Sequence, residues 1–227
     1  MGVVAVRASE SVSSRYRRLR RDAADAVRVV RDGDTVVVPI AAGEPPALLH
    51  ALSESRRDVR DVTVFHLLPL TEPAYLDPDT AHHVRHNTAF LGAPSRTGAG
   101  EGWVDYTPAH FSEIPELIRR GLIGSDVVFA RASSMDEHGF FSLGLAADYT
   151  MAAISRARAV VLEVNPRVPF CFGECHVHVS QVSALVETDD PLPELPPPPI
   201  GPVERAIGAV VADLVPDGAT LQIGIGA

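Results

Sequence analysis

Ala23 to Leu52 reads AADAVRVVRDGDTVVVPIAAGEPPALLHAL, and Val203 to Ala227 reads VERAIGAVVADLVPDGATLQIGIGA. Set over one another, Asp32-Gly33-Asp34-Thr35 and Asp217-Gly218-Ala219-Thr220 agree in kind. An Ala/Val-rich segment with apolar residues at helical spacing precedes each tetrapeptide: Val27 and Val30 in the first, Val211 and Val215 in the second. A short β-rich run follows each, Val36 to Val38 and Leu221 to Ile223. Both copies therefore predict helix, tight turn and buried strand, and a repeated supersecondary unit marks a repeated fold. The second copy stops one strand in. The expectation is one complete α/β lobe followed by the first helix and strand of a second, similar lobe.

Working outward, the strand Thr35 to Val38 runs into PIAAGEPPALL, where Pro45-Pro46 suits the first turn of a helix continued by Leu48, Leu49 and Leu52. The strand-to-helix junction falls at Ala42 to Glu44, and such junctions at the carboxyl ends of strands are where open α/β sheets bind ligands. Further strands are predicted at Asp61 to Leu68, Asp126 to Ala130, Ala159 to Val164 and Val177 to Val186. Helices are predicted at Ser112 to Arg120 and Tyr149 to Arg158. Strands alternating with helices imply an open parallel or mixed sheet flanked by helices. Thr71 to Arg96, rich in Pro, His and Asp, reads as irregular. Proline-dense 191–202 is a stiff extended linker between a lobe at 1–190 and the start of the second at 203–227.

Composition narrows function. A formal net charge of -9 argues against a nucleic-acid backbone as partner. The one basic run, Arg15 to Arg21, reads as a solvated first turn of a helix rather than a binding tail. All 20 basic residues are Arg; without Lys these residues can form neither a Schiff base nor a P-loop phosphate clamp. Cys171 and Cys175 make no disulfide framework, and no stretch has the length of a membrane span. The N-terminal residues lack a signal-peptide pattern, so the expected location is cytoplasmic.

Three stretches could carry chemistry. In QIGIGA, Gln222 to Ala227, alternate glycines after a strand let backbone N–H groups approach phosphate or a developing oxyanion; the bland alternative is a tight turn. Asp136-Glu137-His138-Gly139 holds acid and base side chains, although consecutive loop residues seldom converge; a turn closed by Asp136, with Gly139 at positive φ, accounts for them equally. Cys171, Cys175, His176 and His178 are metal-compatible, but their spacing matches no standard zinc pattern and no metal is expected.

GEPPALL, SSMDEHGFFSLG, EVNPRVP and DGATLQIGIGA, in this order and spacing, resemble the N-terminal half of the acetyl-CoA hydrolase/transferase family, nearest in kind to 4-hydroxybutyrate or butyrate:acetate CoA-transferases. FLGAPSR from Phe90, WVDYTPAHFSEIPEL from Trp103 and HVHVSQVSALVETDDPL from His176 fit as well, so the resemblance spans Ala23 to Ala227. It implies transfer of CoA from an acyl-CoA to a small carboxylate, with coenzyme A as part of the substrate and no permanently bound cofactor. Family members attack the thioester with a glutamate, passing through an acyl-glutamyl anhydride and a glutamyl-CoA thioester. The resemblance places Gln222 and the backbone at Gly224 and Gly226 on the thioester oxyanion. It places Ile40, Ala41, Gly43 and Glu44, with Gly226, on the small carboxylate, and makes Asp136, His138 and Gly139 a family-motif loop.

The nucleophilic glutamate belongs to the second lobe, beyond QIGIGA, so it is expected from outside these residues, on a companion chain carrying the C-terminal catalytic lobe in a hetero- or homo-oligomer. A truncated single-chain transferase and a non-catalytic binding or assembly subunit are the other readings, and acyl-CoA hydrolysis is the alternative reaction. The family pattern would put glycine and a polar residue where this sequence has Pro39-Ile40-Ala41-Ala42.

Overall fold

The structure is a computed structural model that describes residues 10–194 and 199–222. In chain order its elements are α1 (Val12–Leu19), α2 (Ala23–Ala26) with a 3-10 turn Val27–Val29, β1 (Thr35–Val38), a 3-10 turn Ala41–Gly43, α3 (Pro46–Glu54), β2 (Val62–His66), β3 (Val84–Thr88), α4 (Ala93–Glu101), β4 (Val104–Tyr106), α5 (Ile114–Arg119), β5 (Val127–Ala132), β6 (Phe140–Ser142), α6 (Thr150–Ile154), β7 (Ala159–Val164), β8 (His176–His178), β9 (Ala184–Glu187) and α7 (Pro202–Asp213).

Seven strands form one sheet in the order β4-β3-β2-β1-β5-β7-β9, and every neighbouring pair is parallel. The chain enters at β1, winds outward to β4, then returns to the other side of β1 with β5. The strand order therefore reverses between β1 and β5, and in doubly wound sheets the crevice at that point is where ligands bind. β6 and β8 form a separate antiparallel pair.

Both faces of the sheet are covered, which is why the strands read as near-continuous apolar runs. Val37, Phe65, Val128, Val160 and Leu162 point to one face, packed by Ile114 and Ile118 of α5 and by Tyr149, Ala153 and Ile154 around α6. Val36, Val38, Val64, Phe129 and Val161 point to the other, packed by Ala26 and Val27 and by Leu48, Leu49 and Leu52 of α3. The outer edge of β9 is occupied by the N-terminal segment: Arg21 donates its backbone N–H to the Leu185 carbonyl at 2.8 Å.

Several expectations need correction. The arginine run is not simply a solvated first turn of a helix: it lies in and just after α1, where Arg15 reaches the carbonyls of Val179 and Ser180 and Arg20 pairs with Glu187. Thr71 to Arg96 is not irregular throughout: it contains β3, whose polar sequence VRHNT alternates buried and half-buried positions, and the start of the glycine-rich α4. Val177 to Val186 is divided between β8 and β9 by a 3-10 turn, and the helix expected over Tyr149 to Arg158 is shorter. Ala219 to Gln222 are in no strand. Ile223 to Ala227 lie outside the described residues.

The repeated turn is present in both copies. Gly33 and Gly218 have φ of 78° and 76°, a region in which glycine carries no Cβ penalty. The amide after each closes the same turn, Asp34 onto the Arg31 carbonyl at 3.1 Å and Ala219 onto Pro216 at 3.2 Å. By contacts the chain divides into Met1–Leu192 and Pro193–Ala227. Among the described residues no helix is long and apolar enough to cross a membrane.

Phe129 is fully buried in the centre of the sheet. Replacing it with alanine is expected to cost about 3–5 kcal/mol in chemical denaturation of the chain, the range for a large core side chain that leaves a cavity; a loss under about 1 kcal/mol would contradict this packing.

Candidate functional site at the strand-order reversal

The segment leaving β1 at the reversal is Pro39 to Glu44. Ile40, Ala41 and Ala42 are half-buried, whereas Gly43 and Glu44 are buried. A methyl group on Gly43 would overlap the Cβ atoms of Ala146, at 2.3 Å, and Pro39, at 2.9 Å, so glycine is required by close approach. Ala41 has φ of 49°, the left-handed region that L residues rarely occupy. The bend is held by hydrogen bonds from Ala41 N–H to the Leu68 carbonyl (3.0 Å), from Gly43 to Ile40 (3.1 Å) and from Glu44 to Ala41 (3.0 Å). The Ile40 N–H donates to Asp148 Oδ2 at 2.8 Å.

Glu44 turns inward instead of presenting its carboxylate on the open side of the loop. Its oxygens accept the N–H groups of Leu70 (3.1 Å) and Thr71 (3.2 Å), tying the loop after β1 to the loop after β2. His66 Nε2 lies 3.6 Å away. Burial raises the Glu44 pKa, opposed by the bonds from Leu70 and Thr71 and by the positive charge of Arg131.

Arg131 and Glu163 are register partners on β5 and β7. Their side chains are 3% and 0% exposed and lie 3.4 Å apart. Glu163 Oε2 also accepts the N–H of Ala47 (2.8 Å) and Leu48 (3.3 Å), so it caps the positive end of α3 from a different strand. Burial raises the Glu163 pKa and Arg131 opposes the rise. Burial pushes His66 down to about 3, helped by His86, and His86 down to about 4.

The other predicted residues lie elsewhere or do other work. Asp136 Oδ1 accepts the N–H of His138 (3.0 Å) and Phe140 (2.7 Å), and Gly139 has φ of 90°. This is the turn, and the side chains of Glu137 and His138 are exposed. His176 Nε2 contacts the Cys171 carbonyl at 2.8 Å, while His178 Nδ1 engages Ser180. Among the described residues no group of three or more His, Cys, Asp or Glu could hold a metal. Gly224 and Gly226 lie outside the described residues.

Residues 6–196 match the acetyl-CoA hydrolase/transferase N-terminal domain. The chain belongs to the acetyl-CoA hydrolase/transferase family. It is 40% identical to a succinyl-CoA:cyclohexane-1-carboxylate CoA transferase of Geobacter metallireducens over 96% of its own length and 50% of that protein's. It is 37% identical to a 4-hydroxybutyrate coenzyme A transferase of Clostridium kluyveri, covering 93% of this chain and 49% of the other. The crystal structure of RipA from Yersinia pestis superposes with a TM-score of 0.87 at 32% identity, over 96% of this chain and 53% of that one. The chain thus spans about half the length of the relatives it matches.

The structure gives two family motifs physical meaning. In GEPPALL, Glu44 braces two loops and Ala47 and Leu48 present the helix amides that Glu163 caps. In EVNPRVP, Asn165 donates to the Asp190 carbonyl at 2.9 Å and Arg167 to that of Asp189 at 3.0 Å, which holds the chain where it leaves the sheet. Arg131, His66 and Asp148 were missed as site residues. A signal for the first was available: VVFARA and AVVLEV each place one charge, of opposite sign, at the fifth position of an apolar strand.

Two predictions follow from this burial. Glu163→Ala would leave Arg131 buried without its partner and is expected to destabilise the chain by about 3–5 kcal/mol in denaturant titrations. The second concerns His86, which is neutral when folded down to about pH 4 but takes up a proton near pH 6.5 when unfolded. The unfolded state then binds more protons, so His86 costs stability as pH falls from 6.5 to 4. The raised Glu44 and Glu163 act in the opposite sense, losing stability as pH rises above their ordinary range, so the comparison must be with His86→Leu. That variant is expected to lose less stability across this window, by about 3 kcal/mol; parallel stability–pH curves would refute the assignment.

Proposed function

We propose that this chain is the N-terminal half of a CoA-transferase that moves CoA between an acyl-CoA and a small carboxylate, using a glutamate supplied outside these 227 residues. The observation that carries the reading is the match of the family's N-terminal domain, at 6–196, to a sheet whose strand-order reversal is lined by the Pro39 to Glu44 loop.

The glutamate carboxylate attacks the thioester carbonyl and expels CoA thiolate, leaving an acyl-glutamyl anhydride. The thiolate attacks the glutamyl carbonyl, releases the first carboxylate and leaves a glutamyl-CoA thioester; the acceptor carboxylate then runs the sequence in reverse. Each step is covalent catalysis, and transfer outruns hydrolysis only where water is kept from the intermediates. Gln222 and the backbone of Gly224 and Gly226 hold the thioester oxyanion. The N–H groups of Ile40, Ala41, Gly43 and Glu44 are used internally. That loop therefore offers Ile40, Ala41 and Ala42 as apolar contacts for the carbon chain of the substrate.

The test combines this chain with a complementary C-terminal half and supplies succinyl- or acetyl-CoA together with cyclohexane-1-carboxylate or 4-hydroxybutyrate, the acids named for the relatives. Formation of the new acyl-CoA by ping-pong kinetics is expected; release of free CoA alone would make the protein a hydrolase, and no turnover with any pair would sink the reading. In the same assay Gln222→Ala is expected to lower kcat by about 10²-fold, the size of a lost oxyanion donor, and an unchanged kcat would remove Gln222 from that role.

A further inference from the structure

Ala41 sits in the left-handed region at φ 49°, the kind of backbone strain that costs about 1–3 kcal/mol and persists only where the surroundings impose it. One imposing group comes from 108 positions away in sequence: Asp148 Oδ2 accepts the N–H of Ile40, the residue before the strained one, at 2.8 Å. The other oxygen, Oδ1, is fixed by the N–H of Thr150 at 2.7 Å and by the Thr150 hydroxyl at 2.5 Å, so the carboxylate is oriented by the first residue of α6. Next to it, the buried Tyr149 hydroxyl donates to the Val38 carbonyl at 2.6 Å and accepts the Leu67 N–H at 3.4 Å. The dipeptide Asp148-Tyr149 thus grips the carboxyl ends of β1 and β2 and the first residue of the bend beyond β1.

We propose that Asp148 is a positioning residue for the substrate loop: it holds Ile40 by its N–H and keeps Ala41 in its strained bend, so that the apolar face of the loop is set before substrate arrives. The kinetic part of this inference rests on the proposed transferase reading; the structural part does not. The physical logic is preorganisation. A loop that had to be ordered during binding would weaken substrate affinity, whereas a loop held in advance does not. Glu44 braces the same loop from its other end through Leu70 and Thr71, so Asp148 governs the entry of the bend and Glu44 its exit. Glycine at position 41 would reach positive φ without strain, which makes Ala41→Gly the natural second substitution.

The experiment has two readouts. In the full chain, amide exchange of Ile40 and Ala41 is followed by NMR for wild type, Asp148→Ala and the double variant Ala41→Gly/Asp148→Ala. Asp148→Ala is expected to speed exchange at Ile40 and Ala41 about tenfold while Val37 and Val128 keep their protection, the pattern of local opening and not of global loss. In the complex with the complementary half, Asp148→Ala is expected to raise KM for the acyl-CoA about tenfold with kcat changed less than about threefold. Ala41→Gly/Asp148→Ala is expected to recover most of that KM. Recovery is what a merely destabilised fold would not give. Unchanged exchange at Ile40 and Ala41, or a KM defect that Ala41→Gly does not relieve, would overturn the proposal. Should Asp148→Ala fail to fold, Ile40→Pro deletes the donated N–H at a residue whose φ of -68° already suits proline. Faster Ala41 exchange in that variant supports the proposal, and unchanged exchange overturns it. If wild type shows no turnover, the transferase reading fails, and the exchange data still decide the role of Asp148.

Discussion

An arginine and a glutamate buried side by side at the end of an apolar parallel sheet survive there because each is used more than once. Arg131 neutralises Glu163 on the adjacent strand and acts on Glu44 in the loop beyond β1. Glu163 takes up two of the amides that an α-helix leaves open at its start. Desolvating a pair of charges costs several kcal/mol per ion before their attraction is counted, so such a pair contributes geometry more reliably than stability. Here it fixes three elements, β5, β7 and the first turn of α3, relative to one another.

That constraint explains why the loop at the strand-order reversal can be irregular without being loose. Pro39 to Glu44 is caught between the start of α3, anchored by Glu163, and the end of β1, anchored by Tyr149 and Asp148. The N–H groups of Ile40, Ala41, Gly43 and Glu44 are used internally, while Ile40, Ala41 and Ala42 remain half-buried. The loop therefore offers shape and hydrocarbon contact. His66, 3.6 Å from Glu44, and His86 are buried and neutral.

The family motifs divide along the same line. Asp136 to Gly139 closes a turn and EVNPRVP secures the exit from the sheet, so these motifs preserve the scaffold around the reversal. GEPPALL does both, since its glutamate braces the loop while its first helical amides receive Glu163. Family membership covers the N-terminal domain of proteins about twice as long as the matched stretch. The structural role of each motif can thus be stated within this lobe independently of the chemistry proposed for the whole.

By itself the sequence determined the α/β class, the β1–turn–α3 junction, the paired turns at Gly33 and Gly218, and the family. Each rests on local information: apolar periodicity, proline at a helix start, glycine where φ must be positive, and motifs in order. It did not disclose β3, because two of its three inward positions, His86 and Thr88, are polar residues that become buried only between two neighbouring strands. Nor did it show that the order reverses between β1 and β5, or that Arg131 faces Glu163, Glu44 turns inward and Asp148 reaches Ile40. Those facts join residues 26 to 108 positions apart. Hydrogen bonds of that span are set by strand order and register, and only the folded sheet supplies both.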